Sequence, residues 1–104
     1  GGGQGRPPGP RAYAACCAAP DGSAIYVYGG YDGRCQRGDL HRLRLPPSPG
    51  AAPAWEQIMG PGEAPPPRMN ATLCCAGNTG WVVAFGGRRG ATRCADLWAC
   101  HAPT

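Results

Sequence analysis

The chain contains an internal repeat, and this repeat constrains its fold more than any other feature. When the sequence is shifted by 57 positions, it aligns with itself without a gap. The matched pairs, first copy and then second, are Arg11 and Arg68, Gly29-Gly30 and Gly86-Gly87, Gly33 and Gly90, and Asp39-Leu40 and Asp96-Leu97. These residue types control backbone conformation and packing, and they recur in one order. The sequence therefore predicts two tandem copies of one structural unit.

The composition indicates that the repeat is folded. Glycine (18) and proline (13) fill 31 of 104 positions, which approaches the level of low-complexity chains. Only 15% of the residues are charged, however, and 42% are hydrophobic, so a solvated disordered chain is not expected. The glycines and prolines must then form ordered turns. The longest apolar run, Trp81 to Phe85, is too short to cross a membrane as a helix.

Both copies have the pattern of short β-strands separated by turns. Residues 24–28 and 81–85 are β-branched and aromatic, and turn residues precede them, which is a hairpin signal. The other predicted strands span 12–18, about 39–45, 55–58 and about 96–99. Prolines at 46, 47, 49 and 53 exclude a helix before the fourth strand. We expect four strands in the first unit and a second unit that lacks its last strand.

The order of these features resembles the kelch repeat. The shared features are a Pro-x-Pro-Arg opening, a strand of small residues, an aromatic residue before Gly-Gly, then Asp-Leu and a later Trp. Tyr28 and Phe85 precede the double glycines, Trp55 matches the later tryptophan, and Pro65-Pro66-Pro67-Arg68 opens the second unit. The resemblance covers about residues 7–100. It implies an all-β fold with two consecutive four-stranded antiparallel blades of a kelch-type β-propeller, the second blade being incomplete.

The resemblance also divides the chain into segments. They are a Gly/Pro-rich lead-in over 1–10, kelch repeat 1 over 11–58, a Pro-rich linker over 59–67 and a partial kelch repeat 2 over 68–104. The residues of the structural motif are Gly29, Gly30, Trp55, Gly86, Gly87 and Trp98. Trp98 fits the aromatic position that the family has between Gly-Gly and Trp, whereas His41, its counterpart in the first copy, departs from it.

A propeller narrows toward its central channel, and the resemblance places the first strand of each unit there. The small residues from Ala14 to Ala19 fit that position. The rings expected to fill the wider part are Tyr26, Tyr28, Trp55, Trp81, Phe85 and Trp98. Propellers have about four to eight blades, and this chain has fewer than two. We therefore expect a fragment that needs further blades from the same parent chain, or one that exposes apolar faces and self-associates.

Seven cysteines are many for a chain of this length, and the number is odd. A disulfide scaffold favours an even number, and a zinc site favours C-x-x-C spacing, which is absent. Adjacent cysteines on a strand point to opposite faces, so neither Cys16-Cys17 nor Cys74-Cys75 is suited to chelate one ion. The favoured interpretation is cysteine as a small buried apolar residue in a reducing, cytoplasmic environment. We expect no metal and no cofactor.

All ten basic residues are arginines, and several flank the double-glycine loops. The candidate partner-binding residues are Tyr31, Arg34, Arg37, Arg88, Arg89 and Arg93. They could form a basic rim for an acidic protein partner, and the alternative is ordinary solvated charge on loops. The arginines form no dense block, so nucleic acid is an unlikely partner. Asp39 and Asp96 recur in register, which favours a structural role such as pairing with Arg11 or Arg68.

The repeat and the lack of a catalytic pattern favour a protein–protein interaction module that presents inter-strand loops of a kelch-type propeller to a partner. We expect no enzymatic activity from this chain. The alternative is a fragment of a propeller enzyme similar to galactose oxidase, in which copper is held by Tyr and His near a Tyr–Cys crosslink. Neither His41 nor His101 has a paired Tyr and Cys in the repeat register.

Overall fold

A computed structural model describes residues 8–59, 66–77 and 79–102. Most of the predicted lead-in and of the Pro-rich linker lies outside the described residues, as does Asn78 in the turn before residue 81. Over the described residues the chain has strands and no helix that is long and apolar enough to cross a membrane.

The first sheet is an antiparallel meander of four strands. Its strands are β1 (Ala15–Ala18), β2 (Ala24–Tyr28), β3 (Leu40–Arg44) and β4 (Ala54–Met59), and they pair in the order β1-β2-β3-β4. A short turn over 19–23 joins β1 to β2, whereas longer loops over 29–39 and 45–53 join β2 to β3 and β3 to β4. Each connection contains Gly or Pro, as the alternation of apolar segments with these residues predicts. The predicted four-stranded first blade is confirmed.

The second sheet repeats this arrangement with three strands, β5 (Thr72–Cys75), β6 (Trp81–Phe85) and β9 (Leu97–His101), in the order β5-β6-β9. Over the described residues it has no counterpart of β4, as the sequence predicts. A small hairpin that the sequence did not predict, β7 (Arg88–Arg89) with β8 (Thr92–Arg93), occupies the loop between β6 and β9. The all-β class and the incomplete second blade are confirmed.

The start of β1 differs from the prediction. The strand begins at Ala15 rather than at residue 12, because Tyr13 has a φ of 60° and interrupts the extended backbone. Asn70, its counterpart in the second copy, also has a φ of 60°. In both copies the residue before this break pairs with the loop after the double glycine, as the Ala12–Tyr31 and Met69–Arg88 bridges show. The interruption is therefore a repeated feature of the fold.

The core lies between the two sheets, where β1 packs against β5. Side chains alternate along each strand, so each sheet turns one set of apolar residues toward the other sheet. The first sheet buries Ala15, Ala24, Tyr26, Tyr28 and Leu40, and the second buries Leu73, Val82, Ala84, Cys100 and Ala102. Burial of a large apolar side chain contributes about 1.5–3 kcal/mol, so this layer is the main source of stability.

The other side of each sheet forms an outer face. The outer face of the first sheet carries Cys16, Ala18, Ile25, Val27, Leu43 and Trp55, and the outer face of the second sheet carries Cys74, Trp81, Val83, Phe85 and Leu97. Of the rings expected to fill the wider part of each blade, Tyr26 and Tyr28 are buried and Trp55 is half-buried, whereas Trp81, Phe85 and Trp98 are exposed. In the described part of the chain no third sheet covers Trp81 and Phe85, whereas Trp98 lies opposite Ala84 on the other face of the second sheet.

Candidate interaction surface

The double glycines set the direction of the loops that carry the candidate binding residues. Gly29 and Gly30 have φ values of 70° and 102°, a region that residues with a Cβ rarely adopt. A Cβ on Gly30 would lie 2.8 Å from the Ala12 carbonyl oxygen. Gly87 makes the same close approach, since its Cβ would lie 2.8 Å from the Met69 carbonyl oxygen. Both loops therefore leave their sheets in the same way.

An arginine and an aspartate brace each loop, as the recurrence of these residues predicts. Arg11 donates to both Asp39 oxygens at 2.7 and 3.2 Å and to the Gly29 carbonyl at 3.2 Å. Arg68 donates to Asp96 at 2.6 and 2.8 Å and to the Gly86 carbonyl at 3.0 Å. Such two-pronged pairs fix geometry as well as charge. The predicted pairing is confirmed in both copies.

The two aspartates also accept a hydrogen bond from the residue two positions later. His41 Nε2 lies 2.6 Å from Asp39 Oδ2, and Trp98 donates its indole N–H to Asp96. His41 thus takes the place of the aromatic residue without losing this contact, although its buried Nδ1 atom has no hydrogen-bond partner among the described residues. Burial alone would raise the pKa of Asp39, but the bonds from Arg11 and His41 outweigh it and hold the pKa at about 2.

The loop after Gly30 is built around Asp32. The Asp32 carboxylate accepts the backbone N–H groups of Arg34 and Cys35, both at 2.9 Å, and it lies 3.5 Å from the Arg37 guanidinium. The backbone bonds lower the pKa of Asp32 and keep it ionised. The Tyr31 side chain is exposed, and its hydroxyl donates to the carbonyl of Gly33 at 3.1 Å. Arg37 is thus partly neutralised within the loop.

The loop after Gly87 is the β7–β8 hairpin, and it concentrates three arginines. Arg88 lies directly opposite Arg93, and Arg89 lies opposite Thr92, so the three guanidinium groups project from one small ribbon. All three are exposed. In the part of the chain that the structure describes, none of these side chains has an acidic partner. The hairpin therefore carries three positive charges close together that no acidic side chain among the described residues neutralises.

The packing of the two sheets brings these loops to the same end of the molecule. The Gly30 N–H donates to the Arg68 carbonyl at 2.9 Å, and the next residue, Met69, exchanges backbone hydrogen bonds with Arg88 at 2.8 and 2.9 Å. The candidate residues thus fall into two neighbouring groups. Tyr31, Arg34 and Arg37 form one, and the hairpin arginines form the other.

The tryptophans of the structural motif occupy different environments. Trp55 is half-buried on β4, where it pairs with Leu43 on the outer face of the first sheet. Trp98 is 39% exposed on β9, the edge strand that pairs with β6 on one side. Trp98 has no fourth strand beside it in the described residues, which explains its exposure.

The cysteine interpretation needs a correction. Only Cys100 is buried, whereas Cys16, Cys35 and Cys74 are exposed and the other three are half-buried. The error arises because adjacent cysteines on an inner strand must point to opposite faces, and only one face meets the other sheet. Cys17 and Cys75 do meet there, with their Sγ atoms 3.5 Å apart. Among the described residues no group of three or more His, Cys, Asp or Glu could hold a metal ion.

Sequence reasoning missed a second charged cluster at the opposite end of β3. Arg42 is buried and donates to both Glu56 oxygens at 3.0 and 3.3 Å, and Arg44 contacts the same carboxylate at 2.5 Å. The bonds from the arginines lower the pKa of Glu56. In the second copy Ala99 and His101 stand at the positions of Arg42 and Arg44, so the repeat alignment gave no signal for the cluster.

The strand order, the paired glycine loops and the repeated Arg–Asp braces together specify a family. The sequence profile of the KLHDC2/KLHL20/DRC7 Kelch-repeats domain matches residues 3–104, almost the entire chain. The chain belongs to the kelch-repeat family. A comparison with curated proteins finds no match. Kelch-repeat domains commonly serve as protein-interaction scaffolds and are generally not enzymes.

Proposed function

We propose that this kelch-repeat chain is a protein-interaction module that presents its double-glycine loops to an acidic protein partner. The contacting residues are Tyr31, Arg34, Arg37, Arg88, Arg89 and Arg93. The observation that carries the proposal is the β7–β8 hairpin, where three exposed arginines project without an acidic partner among the described residues. The cytoplasmic location expected from the cysteines remains a prediction.

The two loops would contribute to partner binding in different ways. The hairpin arginines supply charge, because a guanidinium with no acidic partner among the described residues is free to bind a carboxylate in two-pronged geometry. Arg37 contributes less, since Asp32 already offsets it. Tyr31 adds an exposed ring with a polar tip at the neighbouring loop, which is a favourable combination at protein interfaces.

The proposal is tested with a fluorescein-labelled peptide of alternating Glu and Gly, titrated with the full chain and followed by anisotropy. Exposed ion pairs contribute about 0.2–1 kcal/mol each, so the triple variant R88A/R89A/R93A should bind roughly tenfold more weakly. Added salt should weaken binding of the unmodified chain and affect the triple variant less.

The control is Arg44→Ala. The Arg44 side chain is 48% exposed, and it pairs with Glu56 at the far end of the sheet. Its removal should leave peptide binding unchanged. Equal weakening by Arg44→Ala and by the triple variant would show that net charge alone attracts the peptide, and the proposed surface would be wrong.

A further inference from the structure

The two outer faces of this molecule are structural copies of the two faces that form its core. The repeat shift relates the outer face of the first sheet to residues that the second sheet buries: Cys16 to Leu73, Ile25 to Val82 and Val27 to Ala84. It relates the outer face of the second sheet to residues that the first sheet buries: Phe85 to Tyr28 and Leu97 to Leu40. The two outer faces are therefore complementary to each other.

The contact between the sheets includes a backbone clamp. The Gly30 N–H donates to the Arg68 carbonyl at 2.9 Å, and the Arg68 N–H donates to the Arg37 carbonyl at 3.2 Å. The absence of a side chain on Gly29 makes room for this approach, since a Cβ there would lie 2.5 Å from the Arg68 oxygen. The clamp thus holds one extended residue by both of its backbone polar groups.

The second sheet has an equivalent clamp, and no described residue is bound in it. The counterparts of Gly30 and Arg37 are Gly87 and Cys94, and within the described ranges neither the Gly87 N–H nor the Cys94 carbonyl has a hydrogen-bond partner. An open groove of about 330 Å³ lies at this position, lined by Phe85, Gly86, Gly87 and Cys94, by Asn70 and Thr72, and by the hairpin residues Arg88 and Arg93. Its apolar wall is Phe85, which is 50% exposed.

The segment that would fit this groove is also present in the chain. Arg11 is the counterpart of Arg68, and across the residues described its backbone N–H and carbonyl have no hydrogen-bond partner. Its guanidinium already braces Asp39 and Gly29, as that of Arg68 braces Asp96 and Gly86. The segment is thus held in the conformation that the clamp accepts.

We propose that the groove beside Phe85 binds the Pro10-Arg11 segment of a second copy of this chain, so that the molecules associate head to tail. The Gly87 N–H and the Cys94 carbonyl would clamp Arg11 of the second copy, and the outer faces of the two copies would cover each other. A contact between two different surfaces builds either a ring or an open filament. Because each copy supplies two sheets and propellers contain about four to eight, a closed ring would contain about two to four copies.

The contact between copies lacks one bond of the contact within the chain. The Tyr28 hydroxyl donates to the Pro66 carbonyl at 2.9 Å, whereas Phe85 has no hydroxyl at the equivalent position. The contact within the chain forms between two covalently linked sheets, whereas the contact between copies joins two separate molecules. The assembly should therefore dissociate on dilution while each copy stays folded.

The test is sedimentation velocity of the full 104-residue chain over a wide range of concentrations, with two variants that each block one end. Leu97→Glu places a carboxylate on the outer face of the second sheet, where Leu97 is 68% exposed. Cys16→Glu does the same on the outer face of the first sheet, at another exposed position. Each variant alone should associate at least about tenfold more weakly than the unmodified chain, because assembly would bury the new charge.

An equimolar mixture of the two variants makes the test specific. Each variant keeps one intact end, and these ends are complementary, so the mixture should form a one-to-one dimer that grows no further. Circular dichroism and thermal melting check that both variants fold. Arg89→Glu is the control, because it alters the proposed partner surface and should leave self-association unchanged.

Three results would overturn the proposal. They are a chain that stays monomeric at all concentrations, a Cys16→Glu variant that associates as well as the unmodified chain, and a mixture that forms no dimer although both variants are folded. The second result would indicate that two copies of the outer face of the second sheet contact each other instead. All three results concern self-association, whereas the proposed function is tested by peptide binding, so failure of one proposal can be distinguished from failure of the other.

Discussion

The two sheets place related residues in opposite environments. Tyr28 and Leu40 are each 2% exposed, whereas their counterparts Phe85 and Leu97 are 50% and 68% exposed. The local strand pairing is the same in both copies, since Tyr28 lies opposite Leu40 and Phe85 lies opposite Leu97. The difference arises from what lies beside each sheet. In this fold the repeat determines the shape of a blade, and the neighbouring blade determines what that blade buries.

The largest expected difference in stability is between alanine variants of Leu40 and Leu97. Leu40→Ala should lower the free energy of unfolding by about 3 kcal/mol, because it leaves a cavity in the core. Leu97→Ala should change it by no more than about 0.5 kcal/mol, because Leu97 is exposed. Urea unfolding of both variants in dilute solution gives the two values. Equal losses would contradict the burial difference.

Alanine variants of Gly29 and Gly86 separate the energetic cost of backbone strain from the cost of a steric clash between the two sheets. Gly29 and Gly86 have nearly equal φ values, 70° and 72°, so alanine should cost about 1 kcal/mol at either position. A Cβ on Gly29 would also lie 2.5 Å from the Arg68 carbonyl oxygen, whereas one on Gly86 would lie 3.6 Å from its nearest neighbour.

Gly29→Ala should therefore lose about 2 kcal/mol more than Gly86→Ala, since the second sheet must move. For a domain of this size that corresponds to a melting temperature lower by roughly 8–16 °C. Similar melting temperatures for the two variants would mean that Arg68 does not lie against Gly29.

Acid should weaken the first brace in a defined pH range. Asp39 has a folded pKa of about 2, below its ordinary value of 3.8, so its ionised form stabilises the fold above pH 3.8. As the pH falls from 3.8 toward 2, this contribution of about 2 kcal/mol is lost. The pKa of Asp96 is also lowered, through its bonds to Arg68 and Trp98, but Asp96 is more exposed and solvent screens its contribution.

The measurement is the melting temperature against pH for the unmodified chain, Asp39→Asn and Asp96→Asn. Asp39→Asn should remove more of the acid dependence than Asp96→Asn does. An acid profile that Asp39→Asn leaves unchanged would exclude the brace as its source.

The smallest expected effect concerns one hydroxyl group. Tyr28→Phe makes the first sheet resemble the second and removes the bond to the Pro66 carbonyl, which should cost about 1 kcal/mol. Phe85→Tyr is the reciprocal change, and in dilute solution it should have almost no effect because Phe85 has no partner segment beside it in the described residues. Chemical denaturation with equal effects for both changes would argue against the hydroxyl contact.

Sequence reasoning succeeded where local pattern and tertiary structure agree. The strands 24–28 and 81–85 are found at the predicted residues, because apolar alternation and flanking turns define them. The pairing of Arg11 with Asp39 was predictable because both residues recur in register with Arg68 and Asp96.

Sequence reasoning failed where contacts from elsewhere decide the outcome. The positive φ of Tyr13 and of Asn70 accompanies the same backbone pairing with a loop distant in sequence, the Ala12–Tyr31 bridge and the Met69–Arg88 bridge. No local pattern reports that pairing. The β7–β8 hairpin escaped prediction because its arginines lack apolar alternation. The cysteines were misassigned because residue type does not reveal which face of a strand is covered.

The most direct test of the account is whether β1 and β5 face each other in the observed register. Cys17 and Cys75 meet between the sheets with their Sγ atoms 3.5 Å apart, while Cys16 and Cys74 point to the outer faces. One variant keeps only Cys17 and Cys75, a control keeps only Cys16 and Cys74, and serine replaces the other five cysteines in each. Burial raises the pKa of Cys17 to about 12, so oxidation by diamide should be slow at neutral pH and faster in alkali.

Mass spectrometry of the monomer, after diamide treatment and proteolysis, gives the answer. We expect an intramolecular disulfide between Cys17 and Cys75, formed with the loss of two hydrogens that reduce diamide to its hydrazine, and no such bond between Cys16 and Cys74. Crosslinking of the control pair to the same extent, or no bond between Cys17 and Cys75 in a folded monomer, would contradict the stacking of two repeated sheets.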